Sequence, residues 1–332
     1  MKKGTLARAA VIIACALVIL ALGLMVVRRF DQEQYAETRS EMSDGFGQLR
    51  TVAWRDAEYR EKPAVTTILL AGIDKTEDSV TTAANEYRNG GQADFLLLLA
   101  IDHTDKKIHQ LQIDRDTMTD VVTLGVFGNE TGTRNMQICL AHGFGKTPQD
   151  NARYTIRAVR NLLEGIEIDG YYMISYTAIP ILNDTLGGVT VHIADDMTSV
   201  NPAWTKGAEV TLRGKEAESF VRARMGIGEG SNRERMVRQN EFMQQALSQM
   251  NRKTQEDLTF GETLIKSLQQ MAVTNLTVRQ LEEELNKAYG YMVLPVDHPA
   301  GSYCLGEDGF VEFHMQEGAA VEWVLEHMYI RQ

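Results

Sequence analysis

Two apolar segments joined by a short polar turn constrain the fold of this chain most. Residues 95–101 (FLLLLAI) are apolar at every position, and residues 107–113 (KIHQLQI) follow after the turn DHTDK. A segment that is apolar on both faces is typical of a strand in the centre of a covered sheet. Because so short a connection makes two strands antiparallel neighbours, the pair predicts a central hairpin.

The register of this hairpin brings charged residues together. If the turn centres on Thr104 and Asp105, residues whose numbers add up to 209 lie opposite each other. Asp94 then faces Arg115, and Asp116 lies one step beyond, so these three cluster at one end of the strand pair. Asp74 leaves the end of the strand predicted at 66–73 and can join them, although the sequence does not decide the direction of that pairing.

Strand and helix patterns alternate along the rest of the chain. This mixture predicts an α/β or α+β arrangement of packed layers. Further strands are predicted at 168–175, 189–193 and 291–296, and helices at 151–165, 177–186, 214–221, 233–250, 258–271, 277–289 and 319–329. The helix at 277–289 begins with a capping box formed by Thr277 and Gln280.

An unbroken run of 19 apolar residues, 9–27, stands near the start of the chain. At a rise of about 1.5 Å per residue, such a helix just spans a hydrocarbon core of about 30 Å. A cleaved signal peptide is the alternative, but its apolar part usually has only about 7–15 residues. We therefore expect a transmembrane helix.

Basic residues predict the orientation of this helix. Lys2, Lys3 and Arg8 precede the run, whereas only Arg28 and Arg29 follow it. The excess favours an N-terminus in the cytoplasm and a main domain outside the cell. The predicted organisation is a cytoplasmic stub at 1–8, a transmembrane helix at 9–27, a juxtamembrane linker at 28–62 and an extracytoplasmic domain at 63–332.

Charge and cysteine content exclude some classes of function. The formal net charge of -11 argues against a general nucleic-acid-binding protein, since a phosphate backbone selects for a positive field. Outside the apolar run the chain has two cysteines, Cys139 and Cys304, which form either two thiols or a single disulfide. Neither CxxC nor HExxH spacing is present, so residue spacing offers no basis for a structural zinc site.

A second charged cluster lies at 221–239 (VRARMGIGEGSNRERMVRQ). Arg222 and Arg224 have the i, i+2 spacing that would aim both the same way in an extended segment. Arg235, Arg238 and Gln239 have the spacing that places them on one face of a helix. For the hairpin cluster, the simpler interpretation is an ion pair that closes the hairpin. For the cluster at 221–239, it is a basic face exposed to solvent. The alternative is a metal–phosphate site, since carboxylates suit Mg²⁺ and arginine binds two phosphate oxygens at once.

The order of the motifs resembles that of the LytR-CpsA-Psr family. The resemblance covers residues 66–250 and rests on ILLAGID, ADFLLLLAID, LQIDRDT, GIEIDGYYMIS, LNDTLGGVTVHI, LRGKEAESFVRAR and NRERMVRQ, in that order. It implies a mixed central sheet with helices on both faces, after one N-terminal transmembrane helix. It also implies transfer of an anionic glycopolymer, such as teichoic acid or capsular polysaccharide, from an undecaprenyl-pyrophosphate carrier to peptidoglycan at the cell membrane.

The resemblance further implies roles for individual residues. Asp74 and Asp94 would hold Mg²⁺, and Asp116 would orient Arg115 or act as a base; Asp94, Arg115 and Asp116 form the catalytic group. An apolar tunnel would take the lipid. The residues that would bind the pyrophosphate are Arg115, Arg222, Arg224, Arg235, Arg238 and Gln239.

Three positions depart from the family pattern. Gln92-Ala93 stands where the family often has Arg-Ser, Asp114 where it often has proline, and Asn232 where an acidic residue is usual. Two alternative functions therefore stay open beside the glycopolymer transferase. One is a polyprenyl-pyrophosphate hydrolase using the same residues, and the other is a non-catalytic, membrane-tethered protein that binds the lipid pyrophosphate.

Overall fold

The computed structural model describes residues 50–74, 90–223, 227–228, 232–257, 260–268, 271–277, 280, 284, 287–288 and 291–332. The predicted stub and transmembrane helix, most of the predicted linker, and Arg224 lie outside these residues. Within the described part of the chain, no helix combines the length and apolar character needed to cross a membrane.

The described residues form strands and helices in alternation. The strands are β1 (Thr51–Trp54), β2 (Ala57–Glu61), β3 (Val65–Asp74), β4 (Gln92–Asp102), β5 (Lys107–Ile113), β6 (Met118–Leu124), β7 (Glu130–Gln137), β8 (Gly170–Ser175), β9 (Thr190–His192), β10 (Glu209–Thr211), β11 (Ala272–Thr274), β12 (Met292–Asp297), β13 (Gly301–Leu305), β14 (Val311–Met315) and β15 (Tyr329–Arg331). The α-helices are α1 (Pro148–Leu162), α2 (Ala178–Leu186), α3 (Lys215–Arg222), α4 (Asn232–Glu256), α5 (Phe260–Leu268) and α6 (Ala319–Met328), with a 3-10 helix at Ile138–Gly143.

A six-stranded mixed sheet forms the centre, in the order β11-β8-β3-β4-β5-β12. Strands β3, β4 and β5 are antiparallel to their neighbours in this trio, whereas β8 runs parallel to β3 and β12 parallel to β5. Leu96 lies opposite Ile113 and Asp102 opposite Lys107, so the predicted hairpin register is confirmed. The edge strands β11 and β12 come from the part of the chain after residue 251.

Two apolar cores cover the two faces of this sheet. Alternate residues of β4 enter opposite cores: Leu97 and Leu99 pack with residues of α2, α3, α4 and α5, whereas Leu96 and Leu98 pack with residues of α1 and α6. This division explains why β4 is apolar at every position, because neither face meets water. The predicted mixed sheet with helices on both faces is confirmed.

The folded region begins before the predicted boundary at residue 63. Strands β1 and β2 lie within the segment predicted as a linker. They belong to a separate three-stranded sheet in which β1 pairs with β2 and β2 pairs with the C-terminal strand β15. Their side chains alternate between exposed and partly buried positions without an apolar run, so no strand pattern is visible in the sequence. The pairing of β2 with β15 joins segments near opposite ends of the described chain, which meet only in the folded molecule.

Two local predictions have different outcomes. Arg222 is the last residue of α3, so it does not meet the condition of an extended segment on which its i, i+2 spacing with Arg224 depended. Most of the helix predicted at 277–289 lies outside the described residues. Its capping box is nevertheless present, because the Thr277 amide donates to Gln280 Oε1 at 3.1 Å and the Gln280 amide donates to Thr277 Oγ1 at 3.3 Å.

The hairpin formed by β13 and β14 was not predicted, and it packs beside the charged end of the central sheet. The Phe313 amide donates to the Asp116 carbonyl at 2.8 Å, and Phe313 forms an isolated bridge with Thr117. Cys304 is exposed on this hairpin, whereas Cys139 is buried, and both are free thiols. Of the two alternatives left open for these cysteines, the disulfide is therefore wrong.

Candidate phosphate-binding site at the mouth of an apolar cleft

Asp94 is the centre of the charged cluster. Its carboxylate is buried and accepts from two arginines: Arg115 Nη1 binds Oδ1, and Arg235 Nη1 binds Oδ2 at 3.1 Å. Arg115 follows β5 and Arg235 lies in the first turns of α4, so two distant segments converge on one carboxylate. The cluster predicted from antiparallel pairing is confirmed, and the structure adds α4 to it.

Arg115 is held on several sides. Its Nε lies 3.2 Å from Asp116 Oδ1, and its Nη2 donates to Gln92 Oε1 and, at 3.1 Å, to Cys139 Sγ. Burial opposes the charged form, but the carboxylates of Asp94 and Asp116 raise the pKa of Arg115 above its ordinary value. Burial also raises the pKa of Cys139 to about 11, so this residue stays a neutral thiol near pH 7. Arg115 is therefore a fixed cation whose direction is set by its neighbours.

Asp74 enters the site from the end of β3. Its pairing with Gln92 in the antiparallel β3–β4 ladder supplies the direction that the sequence left open. Asp74 Oδ1 accepts from Arg222 Nη2 at 2.6 Å, and Arg222 Nη1 also donates to Glu218 Oε1 at 2.7 Å. Both Asp74 and Arg222 are only partly buried, so this pair forms the solvent-facing side of the cluster.

One face of α4 supplies the remaining groups. Arg235, Arg238 and Gln239 are all buried, with exposed fractions of 4, 5 and 6%, which confirms the predicted common face. Arg238 Nη2 donates to the Ala223 carbonyl, but Arg238 Nε and Nη1 and Arg235 Nε meet no hydrogen-bond acceptor among the described residues. Buried donors without an acceptor are costly, and an anion bound beside them would satisfy them. Burial also lowers the pKa of Arg238 below its ordinary value.

An apolar cleft of about 930 Å³, including space continuous with solvent, opens beside these groups. Gln239 and Tyr176 line it next to the charged cluster, and Gln239 Nε2 donates to the Tyr176 hydroxyl at 3.2 Å. Its deeper walls are aliphatic and aromatic, and include Leu70, Phe95, Phe242 and Met250. The apolar run at 95–101 contributes Phe95 to this cleft, whereas the run at 156–163 packs in the core on the opposite face of the sheet.

The carboxylates of the site fit a hard divalent cation. Burial raises the pKa of Asp94 above its ordinary value; Asp74 adds to the rise, and Arg115, Arg235 and Arg222 oppose it. Two carboxylates of like charge stand at the mouth of the site, and a cation bound between them would relieve their repulsion. Mg²⁺ usually takes one or two carboxylates together with phosphate oxygens. Asp74 and Asp94 are therefore the carboxylates that could hold such an ion.

The three departures from the family pattern lie in or beside this site. Gln92 contacts Arg115 and Ala93 is fully buried in the core, while Asn232 and Asp114 are joined by a hydrogen bond of 2.6 Å. Asn232 Oδ1 also accepts from Arg235 Nη2, and Asp114 Oδ2 accepts from the hydroxyl of Tyr303 on β13. No sequence signal identifies Tyr303, because it is separated from Asp114 by most of the domain.

Comparison with known proteins places the chain in a family. Residues 30–292 match the family described as LytR_cpsA_psr. The chain belongs to the LytR-CpsA-Psr family. This match includes every residue assigned to the site from the sequence, whereas the hairpin that carries Tyr303 follows its end.

Several relatives of this LytR-CpsA-Psr protein have names or structures. A polyisoprenyl-teichoic acid–peptidoglycan teichoic acid transferase, TagU of Halalkalibacterium halodurans, is 31% identical over 157 residues, which are 47% of this chain and 44% of the relative. The chain thus spans about half the length of the curated relatives it matches. The crystal structure of Bacillus subtilis TagV is 22% identical, with a TM-score of 0.57 over 80% of this chain and 98% of that one. A structure titled "TagT bound to LI-WTA" is 19% identical, with a TM-score of 0.56 over 80% and 89%.

Proposed function

We propose that this protein is a membrane-anchored phosphotransferase that attaches an anionic glycopolymer to peptidoglycan, taking it from a polyprenyl-pyrophosphate carrier. One observation carries the proposal: buried arginines with unsatisfied donors stand at the mouth of an apolar cleft, and Gln239 belongs to both. A molecule that fits both parts must carry several anionic oxygens next to a long apolar chain. The related TagU is named as a teichoic acid transferase that uses a polyisoprenyl-linked donor.

The arginines would bind the pyrophosphate. Arg238 and Arg235 offer buried N–H groups, and Arg222 stands at the open side with Asp74. Planar guanidinium groups match the oxygens of phosphates and stay charged when partly desolvated. The negative charge of the bound head group would be neutralised without any large movement of Arg115 or Arg235, since both are already oriented by Asp94.

The apolar cleft would hold the first isoprene units. Its lining is almost entirely carbon, so water gains little by occupying it and a branched hydrocarbon would gain apolar contacts. Gly72 lies at the junction of cleft and head-group site, where it leaves room for the ring of Tyr176. The reactive phosphates would therefore remain at the mouth, beside the carboxylates.

The proposed reaction is displacement at phosphorus. A hydroxyl oxygen of the peptidoglycan glycan bonds to the phosphorus that carries the glycopolymer, and the bond from that phosphorus to the bridging oxygen breaks. Polyprenyl phosphate leaves with that bridging oxygen and its electron pair. The hydroxyl proton passes to the buried carboxylate of Asp116, and the arginines stabilise charge on the phosphate oxygens.

A Mg²⁺ ion would be held by Asp74 and Asp94. When bound, it would supply additional neutralisation of the pyrophosphate charge. The arrangement of Arg115 and Arg235 around Asp94 would then fix this carboxylate for both the ion and the substrate.

The anchor and location belong to the same proposal. Residues 9–27 would cross the cell membrane, leaving the N-terminus inside and the main domain outside. Tethering would keep the cleft close to a substrate whose tail remains in the bilayer, which raises its effective concentration. Protease added to spheroplasts should degrade the main domain while sparing an N-terminal tag. Protection of the domain in intact spheroplasts would contradict this orientation.

The decisive experiment is single-turnover transfer with the full chain in detergent or nanodiscs. The reaction contains a synthetic polyprenyl-pyrophosphate glycan, peptidoglycan oligomers and Mg²⁺, and is compared with one containing a chelator. Asp94→Asn and Arg235→Gln test the site. Arg157→Gln is the matched control, because Arg157 is an exposed arginine of α1 that pairs with Glu130 on β7.

Each outcome selects one function. Glycan attached to peptidoglycan, lost in both site variants and kept in the control, would establish the transferase. Release of glycan phosphate to water, without attachment, would establish a hydrolase. Tight binding of the lipid pyrophosphate with no turnover would establish a non-catalytic binding protein. A rate of transfer that the chelator does not change would show that the reaction does not require Mg²⁺.

A further inference from the structure

The outer face of the β13–β14 hairpin carries a second group of metal-binding side chains. Cys304 pairs across the hairpin with Glu312, and Ser302 pairs with His314. Because side chains alternate along a strand, Cys304, Glu312 and His314 share one face, and Tyr303 and Phe313 share the other. The hairpin follows residue 292, where the family match ends, so the family resemblance assigns these residues nothing.

The three donor atoms are close enough for one ion. Cys304 Sγ lies 3.9 Å from Glu312 Oε2, and His314 Nε2 lies 2.7 Å from the same oxygen. All three donor atoms are within 4.8 Å of one another. Zinc lies about 2.3 Å from sulfur and about 2.0–2.2 Å from nitrogen or oxygen, so tetrahedral ligands are separated by roughly 3.3–3.7 Å. A small movement of the exposed His314 ring would bring the set to that spacing.

We propose that Cys304, Glu312 and His314 form a binding site for a divalent transition-metal ion, with Zn²⁺ as the best match. A thiolate and an imidazole favour such ions, whereas Mg²⁺ and Ca²⁺ prefer oxygen ligands alone. The site is therefore chemically distinct from the Asp74–Asp94 carboxylates. Three protein ligands leave a fourth position for water or another ligand.

A simple ion pair between His314 and Glu312 explains only part of this arrangement. It does not require the exposed thiol of Cys304 on the facing strand, within hydrogen-bond distance of the same carboxylate oxygen. The sequence spacing of 304, 312 and 314 also differs from the close pairs typical of zinc motifs, because the ligands meet across a hairpin. Only the register of β13 and β14 reveals the group.

Metal binding here would connect the two strands that carry Tyr303 and Phe313. These two rings pack with centroids 4.9 Å apart on the inner face, and the Tyr303 hydroxyl donates to Asp114. An ion that ties Cys304 to Glu312 and His314 would thus stabilise the hairpin whose other face contacts the phosphate-binding site.

Cobalt titration of the reduced full-length protein tests the site, because thiolate–cobalt charge transfer reports a sulfur ligand directly. We expect one equivalent of Co²⁺ to produce this absorption, and Zn²⁺ but not excess Mg²⁺ to displace it. Cys304→Ser should abolish the band, and His314→Ala should weaken Co²⁺ binding on the order of tenfold or more. Cys139→Ser, Asp74→Asn and Ser302→Ala should leave it unchanged, as controls for the buried thiol, the carboxylate site and the hairpin.

A second measurement needs no substitution. Zn²⁺ should slow the alkylation of Cys304 by N-ethylmaleimide in the wild-type protein, as followed by peptide mass spectrometry. A cobalt band that survives in Cys304→Ser would overturn the proposal, as would Co²⁺ binding without a thiolate band or an alkylation rate that Zn²⁺ does not change. None of these readouts depends on transferase activity, so the site and the proposed function can fail separately.

Discussion

The side-chain amide of Asn232 donates a hydrogen bond of 2.6 Å to Oδ1 of Asp114. Both residues are buried, and each stands at a position where the sequence departs from the family pattern. The pair joins Tyr303 on one side to Arg235 on the other, since Asn232 Oδ1 accepts from Arg235. The family usually has an acidic residue at position 232. In this protein, Asp114, the hydrogen-bond partner of Asn232, supplies the carboxylate instead.

Exchanging the two side chains tests whether the site needs one carboxylate in this pair. Asn232→Asp alone would place two buried carboxylates against each other, so we expect a loss of stability of about 1–3 kcal/mol and reduced transfer. Asp114→Asn alone removes the charge that orients the Asn232 amide, and should lower kcat/KM by roughly ten- to a hundredfold.

The double variant Asp114→Asn/Asn232→Asp should recover part of both losses, because it again has one carboxylate and one amide. Thermal unfolding and single-turnover transfer measure the two effects, with the exposed Asp120→Asn as the control. Strictly additive effects in the double variant would show that the pair is not coupled.

Replacing Arg238 should separate binding from stability. Burial already lowers its pKa, and two of its donor nitrogens meet no acceptor among the described residues. Arg238→Gln should therefore leave the melting temperature unchanged or higher, because a costly buried charge is removed. Affinity for a synthetic polyprenyl pyrophosphate should fall by roughly ten- to a hundredfold, as expected for a lost charged hydrogen bond. Arg157→Gln is the control, and equal binding by both variants would exclude Arg238 from the head-group site.

Gly72 tests the connection between head-group site and cleft. A Cβ at this position would lie 2.6 Å from Cε1 of Tyr176, so Gly72→Ala forces the ring into the cleft or strains the strand. We expect a stability loss of about 1–3 kcal/mol, typical of overpacking. Binding of a long polyprenyl pyrophosphate should weaken more than binding of inorganic pyrophosphate.

Gly143→Ala is the matched control for this change, since the nearest atom to its added Cβ is 3.5 Å away. Calorimetry with both ligands measures the difference. If Gly72→Ala weakened the binding of both ligands equally, the substitution would affect only the binding of the pyrophosphate group. That result would contradict the proposed lipid path.

His109 predicts a pH dependence of stability. Burial, together with smaller contributions from His327, whose ring is stacked at a centroid distance of 4.2 Å, and from Lys62, lowers its pKa from 6.5 to about 4. The unfolded chain therefore binds a proton between about pH 6.5 and 4 that the folded protein does not, so stability is lost as the pH falls through this window.

Allowing for screening, we expect His109 to account for a decrease on the order of 1–2 kcal/mol between pH 7 and pH 5. His109→Gln should flatten the pH dependence of the free energy of unfolding over this range, measured by urea denaturation. The exposed His192→Gln is the control. The same slope in wild type and His109→Gln would contradict the prediction.

The carboxylate–arginine centre could be predicted in part because strand pairing is a local property. A turn centred on Thr104 and Asp105 fixes the antiparallel register of the two apolar segments, and continuing that register beyond Leu96 and Ile113 brings Asp94 to Arg115. The helical spacing of Arg235, Arg238 and Gln239 similarly predicts their common face. The role of α4 in closing the site over Asp94 needed the family resemblance, since helix periodicity does not say which strand a helix faces.

By itself, the sequence determined the central hairpin, the two covered faces of its strands, and the carboxylates and arginines available for an anion site. These follow from short-range geometry and from the cost of exposing apolar surface. Only the tertiary structure decided that β2 pairs with β15, that Asp114 compensates for Asn232, and that Tyr303 and the Cys304 group lie beside the site. Such contacts join residues separated by a hundred positions or more, and they form only when the intervening core has packed.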